Sequence, residues 1–182
     1  MSDQDNPWKT KKTIRQYENP WIQVDHHDVI NAAGNPGVYG TVHFKNRAVG
    51  VLPIAANGDI WLVGQYRFPL QQYHWEIPMG GAPQGENAGE CALRELREET
   101  GLRAKSLQAI GHVHLSNSIT DEEGFLFVAT DLDEGEPEME ETEVLTIKRL
   151  PFEEALAMVN DGRITDVLSV LAISRVRLLG II

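Results

Sequence analysis

The sequence predicts an α+β protein: an α/β/α sandwich with a mixed β-sheet flanked by helices, preceded by an N-terminal antiparallel β-sheet region. Three observations lead there. Strand-like runs fill most of the first half, one strongly patterned helix interrupts them, and helix returns only near the end of the chain. That order of elements suits helices layered over a mixed sheet. A chain of 182 residues is long enough to bury a proper core.

Taken in order, TIRQYENPWIQVDHHDVI alternates as two short strands broken at Asn19-Pro20, and NAAGNPG is a turn cluster. VYGTVHF, AVGVLPIA and IWLVGQYRF follow as β-rich runs, and Asn57-Gly58 predicts a hairpin between the last two. HWEIPMGG reads as a short strand running into glycines. The spacing of Ala88, Cys91, Ala92, Leu93 and Leu96 predicts a helix over about 87–100 with one buried stripe, stopped by Gly101. SLQAIGHVHLS, FLFVATD and VLTIKRL supply later strands. PFEEALAMVNDG, with Pro151 near the first helical position, and ITDVLSVLAISRVRLLG end the chain as helices.

Composition narrows the function classes. A formal net charge of −11 argues against nucleic-acid or membrane partners, which favour cationic surface. Cys91 is the only cysteine, so no internal disulfide forms and a reducing compartment follows; packed helix residue is its simplest role. The opening MSDQDNPWKTKKTIRQ has no apolar stretch of the signal-peptide kind. No apolar run reaches the roughly 18 residues of a membrane span. A soluble, cytoplasmic protein is expected. DEGEPEMEETE, residues 133–143, is the one charge run, and its plainest reading is a solvated acidic loop.

The crowded stretch is GECALRELREETGL, residues 89–102. Glu95, Glu98 and Glu99 share a helix face, and each like-charged pair costs a few tenths of a kcal/mol. Either neighbouring arginines offset that repulsion or a cation binds there. Upstream lie Gly80, then five residues, Glu86, seven residues, and Arg94-Glu95-Leu96-Arg97-Glu98-Glu99-Thr100-Gly101-Leu102. This pattern resembles the box of the Nudix hydrolase superfamily at every fixed position, a match expected by chance less than about once in a hundred million starts.

The resemblance runs over nearly the whole chain. YENPWIQV, AVGVLPI, LVGQYRFPL, WEIPMGG, SNSITDE and ALAMVNDGRITD are similar to the ADP-ribose pyrophosphatase and nucleoside-diphosphate-sugar hydrolase branch. The resemblance implies the Nudix fold, with residues 1–45 as an N-terminal β region serving dimerisation and the substrate pocket, and 46–182 as the catalytic domain. It implies Mg2+, or Mn2+, held by Glu95, Glu98 and Glu99 with a backbone carbonyl near Gly80 or Gly81, approached through the GGAPQG loop. It implies attack by water on the pyrophosphate of ADP-ribose, GDP-mannose or a related substrate, giving a nucleoside monophosphate and a sugar phosphate.

A base must take the water's proton. In this branch it comes from an acidic loop, so the charge run gains a second reading: Glu141 as base and Glu143 as accessory metal ligand, with Glu138 and Glu140 as rival acids. Arg67 is the expected phosphate or substrate anchor, since a guanidinium fits phosphate bidentately. A surface salt bridge is the alternative. Glu122 resembles an acid near the distal ribose, and Trp21 or Trp8 offers a face for a nucleobase. His112 and His114 are read as structural. Where strict ADP-ribose pyrophosphatases carry Ser-Pro-Gly after the box, this chain has Ser116-Asn117-Ser118, which opens broader or GDP-sugar use. A hydrolase of nucleoside triphosphates or dinucleoside polyphosphates, and a non-catalytic nucleotide sensor, are the rival readings. Partners are a nucleotide-sugar substrate and a second copy of the chain.

Overall fold

The structure is a computed structural model that describes residues 5–138 and 144–182. Its elements run β1 (Lys9–Glu18), β2 (Ile22–Ile30), β3 (Pro36–Phe44), β4 (Arg47–Pro53), β5 (Asp59–Arg67), β6 (Gln72–Glu76), β7 (Met79–Ala82), α1 (Ala88–Thr100), β8 (Arg103–His114), β9 (Glu123–Asp133), β10 (Thr146–Pro151), α2 (Phe152–Asn160) and α3 (Val167–Leu178). Two compact units result. One holds the described residues up to Asn46 together with His114–Glu122; the other holds Arg47–Val113 and Glu123–Ile182.

In the first unit, β1, β2 and β3 form an antiparallel meander. Asn19 Oδ1 accepts from the amides of Trp21 and Ile22 at 2.9 and 2.8 Å, which turns the chain between β1 and β2. Asn31 Oδ1 does the same for Ala33 and Asn35 in the next turn. The segment after His114 fastens to β3: Val42 donates to the Ile119 carbonyl, Asp121 accepts from the Phe44 amide and pairs with His43.

The second unit is a layered α+β body. β4 is its axis, buried from Val49 onward, antiparallel to β7 and parallel to β9, in the order β7-β4-β9-β8. Val49 and Val51 meet Cys91, Ala92 and Leu96 of α1 in one cluster, while α3 also packs on β4 and β9. Burial of successive residues on both faces is what a central strand between two helix layers requires. Leu96 is fully buried, so truncating it to alanine would cost about 2–5 kcal/mol. α1 starts at Asn87, whose side chain accepts from the amides of Gly89 and Glu90, and ends at Gly101 with φ 75°. A Cβ on Gly101 would overlap the Gly135 carbonyl oxygen, so this position admits glycine alone.

Two expectations change. Asn57-Gly58 does turn, with Gly58 at φ 84°, but β4 and β5 do not form the expected hairpin. The turn after β4 holds an isolated Ile54–Ile60 bridge and a hydrogen bond from the Ala55 amide to the Asp59 carbonyl, and β5 instead pairs with β6 and β10. The stronger pairing for β4 is the distant, parallel β9, which no local turn specifies. Gly80 and Gly81 belong to strand β7 rather than to the glycine loop. In the N-terminal region Tyr17 and Trp21 are exposed in the single chain, Trp21 at 66%. A three-stranded meander has too little of its own mass to cover both faces.

Candidate active site

The alternation of β6 turns His74 and Glu76 inward. The chain passes Ile77-Pro78 and enters β7, where Gly80 pairs with Val49. Two side chains pin this passage. Glu99 of α1, 2% exposed, accepts the Met79 amide at 3.0 Å, and Ser169 Oγ of α3 accepts the Ile77 amide at 2.9 Å. The passage is therefore tied to the glutamate helix on one side and to α3 on the other.

Gly80 sits against Glu95. A Cβ at Gly80 would overlap the Glu95 carboxyl group, so the glycine opens the space that this carboxylate occupies. Arg94 then ties the acids together. It donates to Glu95 at 2.7 Å and Glu98 at 3.0 Å through Nη1, and to both oxygens of Glu86 at 3.0 and 3.1 Å through Nε and Nη2. Its Nη2 also reaches the Gly81 carbonyl at 3.4 Å. Hydrogen bonding to Glu86, then the charge of Glu95, raises the Arg94 guanidinium above its ordinary value. The same contact holds the Glu86 carboxyl below the usual range. The Cys91 thiol is pushed up to about 12, by burial first and by the Glu95 charge second, so it stays protonated and inert.

Glu95, Glu98, Glu99 and Gly80 are thus brought together around one helix face. Among the described residues, no group of three His, Cys, Asp or Glu side chains is drawn in as a ready metal cage; Arg94 is the cation among the acids. The donors are hard carboxylate and carbonyl oxygens, which fit magnesium or manganese rather than a softer metal.

The described part of the acidic run, ending at Glu138, approaches the same helix. The Glu138 amide donates to the Glu98 carbonyl at 3.0 Å, and its carboxylate lies 3.4 Å from Arg97 and 3.3 Å from Arg103. Glu141 and Glu143 lie outside the described residues.

Arg67 is held rather than loose. Its Nε lies 2.9 and 3.1 Å from the two oxygens of Glu76, and Nη2 contacts the same carboxylate. Glu76 is 3% exposed. Hydrogen bonding to Glu76 raises the guanidinium above its ordinary value against the opposing effect of burial, with smaller contributions from Asp166 and Glu99. Arg67 therefore feels the charge of the glutamate helix. Glu76 and Asp166 received no role in the sequence reading. The available signal was a carboxylate at an inward position of the alternating β6, where only a paired acid is tolerated.

Trp21 and Glu122 belong to the other unit. Trp21 is exposed, with its carbonyl accepting from the Lys45 amide at 2.9 Å. Glu122 accepts the Leu115 amide through its carbonyl at 3.2 Å, closing the 115–122 turn. His112 stacks on Phe125 with ring centroids 4.7 Å apart and lies 3.2 Å from Glu123.

A helix presenting three glutamates beside a glycine strand, over a mixed sheet flanked by helices, is an arrangement suited to metal-assisted cleavage of phosphate anhydrides. The sequence pattern of the NUDIX domain matches residues 44–167, and the chain belongs to that family. It is 36% identical over 133 residues to the ADP-ribose pyrophosphatase of Bacillus subtilis (strain 168), covering 72% of each chain. It is 35% identical over 172 residues to the methanol dehydrogenase activator of Bacillus methanolicus, covering 93% of this chain and 92% of that one. The GDP-mannose pyrophosphatase of Yersinia enterocolitica is 30% identical over 147 residues, 75% of this chain and 76% of the relative. Among solved structures, an ADP compounds hydrolase superposes with a TM-score of 0.86 over 98% of this chain and 96% of its own, at 23% identity, a likeness of fold. Among the described residues, no helix is long and apolar enough to cross a membrane.

Proposed function

We propose that this protein hydrolyses the pyrophosphate of nucleoside diphosphate sugars, ADP-ribose, GDP-mannose or a relative, to a nucleoside monophosphate and a sugar phosphate. The observation that carries the reading is the Arg94-centred network of Glu86, Glu95 and Glu98 beside Gly80, with Glu99 buried against Met79. The named activities of the Bacillus subtilis and Yersinia relatives support the substrate class.

Glu95, Glu98 and Glu99, with a carbonyl at Gly80, would hold Mg2+ or Mn2+. Such an ion neutralises phosphate oxygens and makes bound water a better nucleophile. The chain's own residues do the rest. Arg94 keeps Glu95 and Glu98 in fixed orientation when no ion is there, and this offsets their mutual repulsion. Arg67, oriented by two oxygens of Glu76, offers its guanidinium to a phosphate or the group beyond it. Glu141 takes the proton of the attacking water, and Glu143 assists the ion. Trp21 stacks the base, and Glu122 meets the distal ribose.

The protein works as a cytoplasmic homodimer, with no nucleic-acid or membrane partner. Every residue of β1 is exposed, and Ile14, Tyr17 and Trp21 present apolar surface that a second copy would cover. The test is a substrate panel: purified protein with magnesium, nucleotide sugars and nucleoside triphosphates, products resolved by chromatography. Cleavage of nucleotide sugars to monophosphates is expected. Preference for triphosphates would overturn the reading.

A further inference from the structure

Between β6 and β7 the backbone is anchored at three successive residues by three different elements. The Ile77 amide donates to Ser169 Oγ of α3 at 2.9 Å. The Pro78 carbonyl accepts from the Val51 amide of β4 at 2.9 Å, and the Met79 amide donates to Glu99 Oε2 of α1 at 3.0 Å. The Ile77 side chain is fully buried, and a Cβ at Gly50 would meet its Cδ1 at 2.9 Å, so β4 carries no side chain where Ile77 lies. All of these residues belong to the unit that carries α1.

The α3 anchor is the one that packing alone does not explain. The buried face of α3 is Leu168, Ala172, Ile173 and Val176, with Ser169 its polar exception, fully buried. Alanine would fill nearly the same space, favours helix more strongly and would bring no hydroxyl to desolvate. The partners of the hydroxyl account for it. Asp166, the N-cap of α3, accepts from both Ser169 N and Ser169 Oγ through Oδ2, at 2.8 Å each. A carboxylate only accepts, so the serine proton points at Asp166 and an oxygen lone pair is turned to the Ile77 amide. The start of α3 thus aims one hydroxyl at one backbone group of the passage.

The glutamate helix holds the other end of the same three residues. Fixing Ile77 fixes where Met79 presents its amide to Glu99, and where Gly80 follows beside the Glu95 carboxyl group. We propose that Ser169, aimed by Asp166, is a positioning residue for the cation of the pyrophosphatase. Through Ile77-Pro78-Met79 it holds the Gly80 carbonyl and the Glu99 carboxylate where both can serve one ion. The inference rests on the metal-assisted reading above, and its first readout is ion binding without turnover.

Mn2+ is titrated into substrate-free protein and the free ion is followed by its paramagnetic resonance signal. The unaltered chain is compared with Ser169→Ala, Asp166→Ala, Asp166→Asn and Ile173→Val, and melting curves check each fold. Ile173→Val trims the same buried face of α3 without touching the passage, so it controls for loss of stability alone. Ser169→Ala should weaken Mn2+ binding about tenfold, the scale of a group that orients a ligand. Ile173→Val should stay within about twofold. Asp166→Ala should weaken binding in the same direction, Asp166→Asn should recover part of it through its remaining acceptor oxygen, and this pair carries the test if Ser169→Ala does not fold. In turnover of a nucleotide sugar, Ser169→Ala should need about tenfold more metal for half activity, with KM for the substrate within about twofold. Unchanged Mn2+ affinity in Ser169→Ala, an equal loss in Ile173→Val, or no Mn2+ binding by the unaltered protein would overturn the role. Failure of the pyrophosphatase reading is a separate outcome: Mn2+ binding that depends on Ser169 in a protein that cleaves no nucleotide sugar.

Discussion

Helix α1 and the β1–β3 sheet treat their awkward residues in opposite ways. In α1, glutamates that should repel are drawn into contact with Arg94, and Glu99 is buried against a backbone amide. In the meander, apolar side chains that should be buried stand in solvent: Tyr17 at 54% and Trp21 at 66%. The difference lies in what each element is given to pack against. α1 lies on β4 and β7 with partners at every turn, whereas three strands cannot cover two faces. A region that satisfies itself reads as a built site; a region left unsatisfied asks for a partner.

The sharpest way to break that contrast is in the helix. Glu99→Gln and Glu95→Gln should each lower turnover by about a hundredfold or more, beyond what loss of a supporting group causes. Near-normal turnover of Glu99→Gln at saturating magnesium would remove the metal-site assignment. Gly80→Ala attacks the same site from the strand. The new methyl displaces the end of a flexible Glu95 side chain, so melting should change little while turnover drops. A large stability loss with activity retained would show that the glycine serves packing.

In the acidic run, Glu141→Gln should lower kcat while leaving substrate and metal affinity close to normal, the mark of a group acting in the transition state. If Glu140→Gln or Glu143→Gln is the crippled variant, the base has moved along the run. If the whole run is neutralised without loss, the base lies elsewhere.

For the meander, light scattering at micromolar concentration should give twice the 20.3 kDa chain mass. Removal of residues 1–45 should give a monomer with weakened substrate affinity. A full-length monomer would reject the dimer, and a truncated dimer with normal turnover would remove the meander from the site.

The smallest effect concerns pH. Glu86 is held below its ordinary value of 4.5 by Arg94, so its contribution to stability is fully present above 4.5 and lost as pH falls through the lower folded-state value. Melting temperature should therefore fall more steeply below pH 4.5 in the unaltered protein than in Glu86→Gln. Parallel acid limbs would mean that the Arg94–Glu86 contact contributes nothing to stability.

Local chemistry alone determined α1 and its ends. Asn87, the apolar stripe through Leu96 and Gly101 act within a few residues of one another, so their pattern is visible along the chain, and with it the face shared by Glu95, Glu98 and Glu99. The glycines of β7 were visible as glycines but not as a strand, because β7 exists only by pairing with β4. The same holds for the missing β4–β5 hairpin: a turn sequence specifies a turn, while strand partners are chosen by whatever pairing buries the most. Glu76, Arg67, His74 and Asp166 come from three separate stretches, and no spacing rule links them. Only the folding of β6 against the segment before α3 puts the buried His74 imidazole and Asp166 beside the paired Arg67 guanidinium. Contacts distant along the chain are set by the packing of whole elements, which a linear pattern does not encode.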